Sequence, residues 1–126
     1  ALSGRPLRLE GGGEGLLDFT YIDDLVNGMI RALALHGGSG ESDTFNLTYG
    51  SARSIAELAS IVKKIIPNAI LETSPKALDK PIRGTLRMDK ARERLGFYPK
   101  WPIEDGYKKY CEWYVTQWEK VMRTNG

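Results

Sequence analysis

The stretch DFTYIDDLVNG at residues 18–28 leads into a run of apolar residues at helical spacing. Asp23 and Asp24 precede the apolar residues, and short acidic side chains are typical N-caps because they accept hydrogen bonds from the free amides of a first helical turn. We predict a helix that this pair caps and that continues to about Leu35, before a Gly-Gly pair at positions 37–38. The residues that repeat at helical spacing are Leu25, Val26, Met29, Ile30 and Leu33.

Strands and a second helix are predicted on either side of this helix. Residues 5–9 alternate apolar and polar side chains, which is typical of a strand, and residues 44–48 form a β-branched and aromatic run between turn formers. A helix is predicted to follow Ser54, because Glu57 three residues later completes a capping box, and Pro67 should end it. The apolar face of this helix comprises Ile55, Leu58, Ala59, Val62, Ile65 and Ile66.

The second half of the chain adds one strand and two helices. Residues 69–73 are predicted to form a strand and residues 74–83 a loop with two prolines. A short helix starts at Asp89 and ends at Gly96, a typical C-cap residue. The last helix carries one apolar and aromatic face of Ile103, Tyr107, Tyr110, Cys111, Tyr114, Trp118, Val121 and Met122. The pattern predicts a single domain over residues 1–126: a small, helix-rich α/β unit with three or four short strands.

Composition and charge exclude several classes of protein. A net charge of +2, with basic and acidic residues interspersed, does not favour a nucleic-acid partner. No apolar run reaches the roughly 18 residues of a membrane span. Residues 1–6 lack the charged and then apolar pattern of a signal peptide. Cys111 and His36 are the only cysteine and histidine, so we expect no metal site and a reducing, cytoplasmic setting.

The sequence also lacks the motifs of redox catalysis with a dinucleotide. Gly11 and Gly13 have the spacing that begins a dinucleotide fingerprint, but Leu16 stands at the third position and no long helix follows directly, which favours a plain loop. None of the six tyrosines is followed four residues later by a lysine that could lower its pKa. We therefore expect this chain to be inactive alone.

Three segments in fixed order carry a resemblance to a known family. They are DFTYIDDLVNG at residues 18–28, Phe45-Asn46-Leu47 with the helix after Ser54, and a third set that runs through Pro81-Ile82-Arg83-Gly84-Thr85, Lys90-Ala91, Leu95-Gly96-Phe97-Tyr98-Pro99, Glu104-Asp105-Gly106 and Trp113-Tyr114. Together they resemble the C-terminal, substrate-binding part of the NAD-dependent nucleotide-sugar epimerases and dehydratases, which are extended short-chain dehydrogenase/reductases.

The resemblance implies a division of labour in a longer protein. It implies that a missing N-terminal Rossmann domain holds NAD and a catalytic tyrosine–lysine pair, while this part closes over the nucleotide half of a nucleotide-sugar substrate. Binding energy from that remote half can position the reacting sugar carbon. The resemblance assigns no catalytic or cofactor-binding residue to this chain.

The resemblance also implies substrate-binding positions. An arginine usually stands just before the Asp-aromatic pair and binds the diphosphate, but this chain has Leu17 there, which departs from the family pattern. A second arginine comes from the loop before the Lys-Ala helix, where Arg83 is the match and Arg87 the reserve. Phe19 occupies an aromatic position near the nucleotide, with a core role as the alternative, and a surface role is the alternative for Arg83.

Other interpretations remain open at this stage. Leu17 favours a non-catalytic binding or regulatory module on the same scaffold, and an unrelated helical interaction domain is the third alternative. Asn46 is predicted to satisfy backbone groups close to it in sequence. The aromatic face of the last helix is interpreted first as core, but without a covering domain it would promote self-association into a homo-oligomer.

Overall fold

The computed structural model describes residues 1–36, 42–76 and 81–124. Its helices are α1 (Ile22–His36), α2 (Ile55–Ile65), α3 (Asp89–Leu95) and α4 (Ile103–Thr124). Its strands are β1 (Leu7–Glu10), β2 (Leu16–Leu17), β3 (Arg53–Ser54) and β4 (Leu71–Ser74). The predicted class, a helix-rich α/β unit with a few short strands, is confirmed. No helix in the described part of the chain has the length and apolar content needed to cross a bilayer.

The strands form two separate pairs. β1 runs parallel to β4, with Leu7 opposite Leu71, and the connection between them passes through α1 and α2. β2 and β3 are antiparallel, with Leu17 opposite Arg53. Because two-stranded sheets are marginal by themselves, packing of the helices has to supply most of the stability.

One core lies between α1 and α3. Its buried residues are Met88, Ala91, Leu95 and Phe97, against which Ala32, Phe45 and Leu47 pack. Phe97 is fully buried. A Cβ atom on Gly28 of α1 would lie 2.8 Å from the Leu47 methyl groups and 3.1 Å from the Phe97 ring. Only glycine therefore lets α1 approach this core so closely.

A second helix pair is formed by α2 and α4. Ala59 and Val62 on α2 are buried, as are Ile103 and Cys111 on α4. The predicted capping box at the start of α2 is confirmed, since the Ser54 hydroxyl accepts a hydrogen bond from the Glu57 amide at 3.1 Å and the Ser54 amide donates to the Glu57 carboxylate at 2.8 Å. Its reciprocal bonds satisfy amides that a helix start leaves free.

Asp24 joins α1 to the segment that precedes α4, and the prediction that Asp23 and Asp24 form the N-cap of this helix was wrong, because both lie inside its first turn. α1 begins at Ile22, and the buried Asp24 carboxylate accepts hydrogen bonds from the amides of Lys100 and Trp101, both at 2.9 Å. The Trp101 ring lies 5.5 Å from the Tyr21 ring between centroids. A local capping rule could not reveal this partner, because it lies more than 70 residues away.

Two other predictions about local structure had different outcomes. The prediction of a strand at residues 44–48 was wrong. In the described ranges β1 pairs with β4 and β2 pairs with β3, and none of these strands pairs with residues 44–48. The short helix α3 ends as predicted, with Gly96 in the left-handed region at φ 59°. The predicted stop of α1 at positions 37–38 lies outside the described residues.

Candidate functional site

The irregular segment at residues 81–88, which carries both predicted arginines, is held by hydrogen bonds from three parts of the chain. The Thr85 hydroxyl accepts from the Ala52 amide at 2.8 Å. The Leu86 amide donates to the Asp18 carboxylate at 3.3 Å, and the Asn46 side chain donates to the Arg87 carbonyl at 2.9 Å. This segment is exposed except at Met88, yet its backbone position is fixed by residues distant in sequence.

Asp18 is the centre of this arrangement. Its carboxylate accepts from the Leu86 amide and, through the other oxygen, from the Gly50 amide at 3.1 Å. Gly50 has a φ of +82°, and a Cβ atom there would lie 2.5 Å from the Met88 methyl group. No sequence pattern predicted this role for Asp18, because its two partners lie more than 30 residues away in the chain. Asp18 therefore brings together the loop at residues 48–52 and the arginine-bearing segment.

Arg83 and Arg87 differ in what their guanidinium groups do. Arg87 contacts the Asp89 carboxylate at 2.6 Å and 2.9 Å, and this hydrogen bond raises the pKa of Arg87. Arg83 is exposed and makes no hydrogen bond or ion pair with any residue that the structure describes. Of the two guanidinium groups on this segment, that of Arg83 is the one without a partner among the described residues.

Arg53 lies on β3 directly opposite Leu17. From there it could take the place of the arginine that the family pattern has at position 17. Its guanidinium group is already occupied, at 2.6 Å from Glu104 and 2.9 Å from Glu57. The hydrogen bonds to Glu104 and Glu57 raise the pKa of Arg53. Arg53 therefore ties β3 to α2 and α4 and does not substitute for the missing cation.

The sequence also predicts roles for Phe19 and Asn46. Phe19 follows Asp18 and is half-buried, which leaves both of its proposed roles open. Asn46 does satisfy a backbone carbonyl, but that of Arg87, 41 residues away, so the prediction of a local partner was wrong. Asn46 instead helps to hold the segment that bears Arg83.

The glycine run does not fit a dinucleotide cradle. Gly11–Gly13 form a 3-10 turn, and a Cβ atom on Gly13 would lie 2.8 Å from the Ala56 amide nitrogen at the start of α2. The short strand β2 follows this turn, whereas a dinucleotide fingerprint leads directly into a helix whose amides face the pyrophosphate. This turn therefore packs against the start of α2 and lacks the geometry of a pyrophosphate cradle. They also contain no cluster of three metal-ligating side chains.

A cavity of about 270 Å³ lies elsewhere, between residues 1–7, the end of α2 and α4. Part of the aromatic face of α4 lines it, including Tyr107, Tyr110, Tyr114 and Trp118. Tyr110 and Tyr114 remain 45% and 43% exposed, so this face is only partly core. Cys111 is buried here, and burial raises the pKa of its thiol.

Comparison with known proteins identifies relatives of the whole chain. No protein-family model matches it. It is 30% identical to the UDP-glucuronic acid decarboxylase 1 of Danio rerio over 120 residues, which cover 94% of this chain and 28% of the relative. It superimposes on the Thermotoga maritima UDP-glucose 4-epimerase, solved with UDP-glucose, with a TM-score of 0.78 and 26% identity over 92% of this chain and 37% of the other. The Bordetella bronchiseptica enzyme WbmF, solved with NADH, gives a TM-score of 0.72 and 31% identity over 98% of this chain and 37% of the other.

These matches confirm the resemblance that the sequence motifs indicate. The chain spans less than a third of the decarboxylase and less than two fifths of each solved enzyme. It corresponds to the C-terminal part of such enzymes.

Proposed function

We propose that this chain, which belongs to the extended short-chain dehydrogenase/reductase family of nucleotide-sugar epimerases, dehydratases and decarboxylases, binds the nucleotide half of a nucleotide-sugar substrate for a larger NAD-dependent enzyme. The observation that carries the proposal is the anchored segment at residues 81–88. It presents Arg83 without a partner among the described residues, while Asp18, Ala52 and Asn46 fix its backbone.

The chemistry of this arrangement suits a diphosphate. A guanidinium group donates paired hydrogen bonds to phosphate oxygens, and a preformed loop loses little conformational entropy when it binds. A Cβ atom placed on the exposed Gly84 would meet no described atom within 4 Å, which leaves space beside Arg83. A ligand could therefore approach Arg83 from the side of Gly84 without meeting another side chain.

The oxidation and reduction chemistry belongs, in this proposal, to the additional polypeptide of the parent protein. NAD supplies hydride transfer when it is bound there. The residues of this chain contribute by holding the nucleotide in place. Fixing that remote half positions the sugar carbon, which lowers the entropic part of the barrier.

The test is binding of UDP-glucose and UDP-glucuronic acid to the full-length protein and to its Arg83→Ala variant, measured by calorimetry. We expect affinity to fall by about tenfold to a hundredfold, since a hydrogen bond to a charged group contributes about 1.5–3 kcal/mol. Arg87→Ala is the matched control and should bind normally, because Arg87 is paired with Asp89. Unchanged affinity in the Arg83 variant would remove this residue from the site.

A second candidate function is a binding or regulatory module that has lost the chemistry. Leu17 favours it, because the cation that the family pattern has there is missing and Arg53 opposite is occupied. The two candidates differ in the fate of a bound ligand: an enzyme converts the sugar nucleotide and a module releases it unchanged. Product analysis by chromatography after incubation with NAD distinguishes them.

A further inference from the structure

The Asp18 carboxylate holds the arginine-bearing segment by its main chain. One oxygen accepts a hydrogen bond from the Leu86 amide at 3.3 Å, and the other accepts from the Gly50 amide at 3.1 Å. Both donors are backbone N–H groups, so each carboxylate oxygen acts as an acceptor. Asp18 is therefore a bridge between main-chain groups that lie 32 and 68 residues further along the chain.

The Leu86 end of the bridge lies where burial does not fix the segment. Leu86 is three residues after Arg83, and residues 81–87 are all exposed. Burial begins only at Met88, which is 3% exposed. An exposed backbone loses conformational freedom when it binds a ligand unless other contacts have ordered it beforehand. The hydrogen bond from Asp18 supplies such a contact close to Arg83.

The Gly50 end of the bridge is fixed by close packing. Gly50 has a φ of +82°, which favours glycine, and a Cβ atom there would lie 2.5 Å from the Met88 methyl group. The loop that donates to Asp18 thus packs against the buried end of the same arginine-bearing segment. The second hydrogen bond therefore orients the carboxylate towards Leu86 before any ligand binds.

We infer that Asp18 is a positioning residue, which orders the backbone that carries Arg83 and so raises the affinity for a diphosphate group that Asp18 does not itself bind. The inference rests on the proposed function, because it needs Arg83 to contact the ligand. A carboxylate repels a diphosphate, so Asp18 can favour binding only through the segment that it holds. Asparagine at this position would keep the shape of the side chain but offer one acceptor where two are needed.

The test is a double-mutant cycle in the full-length protein, with UDP-glucose binding measured by calorimetry. Asp18→Asn should weaken binding by about twofold to tenfold, the cost of ordering one mobile side chain. Combined with Arg83→Ala, the same change should cause no further loss, because the guanidinium group that it positions is gone. A purely structural role would lower the melting temperature without this coupling. Asp23→Asn alters an exposed carboxylate of α1 and should leave the affinity unchanged.

The outcomes separate this inference from the proposed function. Unchanged affinity in Asp18→Asn, or equal losses with and without Arg83, would overturn the inference and leave the proposed function intact. Normal binding by Arg83→Ala would overturn the proposed site and this inference with it. Amide hydrogen exchange of the unaltered protein needs no variant: the Leu86 amide should exchange at least about tenfold more slowly than that of Gly84. Equal exchange rates would mean that Asp18 does not order the segment.

Discussion

The two faces of α1 differ in how completely this chain covers them. On the inner face, Gly28 is buried against Leu47 and Phe97, and Asp24 is buried against two backbone amides. On the outer face, Ile30 and Leu33 are 60% and 74% exposed although both are aliphatic. The helix thus has apolar residues for two interfaces, of which the described chain completes one. An amphipathic pattern alone identifies a helix, but not which of its faces a given stretch of chain will bury.

The largest effect is expected from removing the residue at the centre of the inner interface. Phe97→Ala should lower the free energy of unfolding by about 3–5 kcal/mol, because a fully buried ring is replaced by a cavity. Urea denaturation of the full-length protein measures this. Its neighbour Tyr98 is 66% exposed, so Tyr98→Ala should change stability by less than about 0.5 kcal/mol. Equal losses of unfolding free energy in the two variants would contradict the burial of Phe97 at the inner face of α1.

A smaller effect is expected from closing the gap that Gly28 leaves. Gly28→Val should destabilise the protein by about 1–3 kcal/mol, since the new side chain would overlap Leu47 and Phe97. Met29→Val introduces the same side chain at a position of the same helix that is 53% exposed and serves as the control. Thermal denaturation of both variants sharpens the contrast, and an undisturbed melting temperature for Gly28→Val would show that the core can move aside.

Removing the buried Asp24 carboxylate of α1 should lower the free energy of unfolding by a similar or slightly smaller amount. Asp24→Ala leaves the amides of Lys100 and Trp101 without their acceptor, and an unpaired buried donor costs about 1–3 kcal/mol. Asp23→Ala removes the adjacent carboxylate, which is exposed, and should have little effect. Chemical denaturation of the pair reports the difference. Matching losses would indicate that both aspartates act only through the start of the helix.

The smallest effect on the stability of residues 1–126 is expected from a substitution on the outer face of α1. Leu33→Gln changes a side chain that is 74% exposed, so within residues 1–126 expressed alone it should alter stability by less than about 0.5 kcal/mol. It should also reduce self-association, seen by sedimentation velocity, because it interrupts the exposed aliphatic surface. Ala32→Gln, on the side that packs against the core, is the control and should destabilise. A large loss of stability in Leu33→Gln would mean that the outer face is already covered within this chain.

Local sequence rules predicted those elements whose determinants are close together in the chain. The capping box of Ser54 and Glu57, the stop of α3 at Gly96 and the long helix α4 all depend on residues within one or two turns. The same rules failed for Asp24 and gave no role to Asp18 or Arg53. Each of these three residues hydrogen-bonds to a group that is more than 30 residues away, and no periodicity reports such a partner.

The sequence alone determined the helix-rich α/β class, the positions of most helices and the similarity to nucleotide-sugar enzymes, because helical periodicity, caps and ordered motifs are written in neighbouring residues. Only the tertiary structure decided that Arg83 has no partner among the described residues while Arg87 and Arg53 are occupied, since that choice depends on which carboxylates the fold brings within reach. It also decided that no strand forms at residues 44–48, because a strand needs a neighbouring segment, and in the described ranges β1 pairs with β4 and β2 with β3.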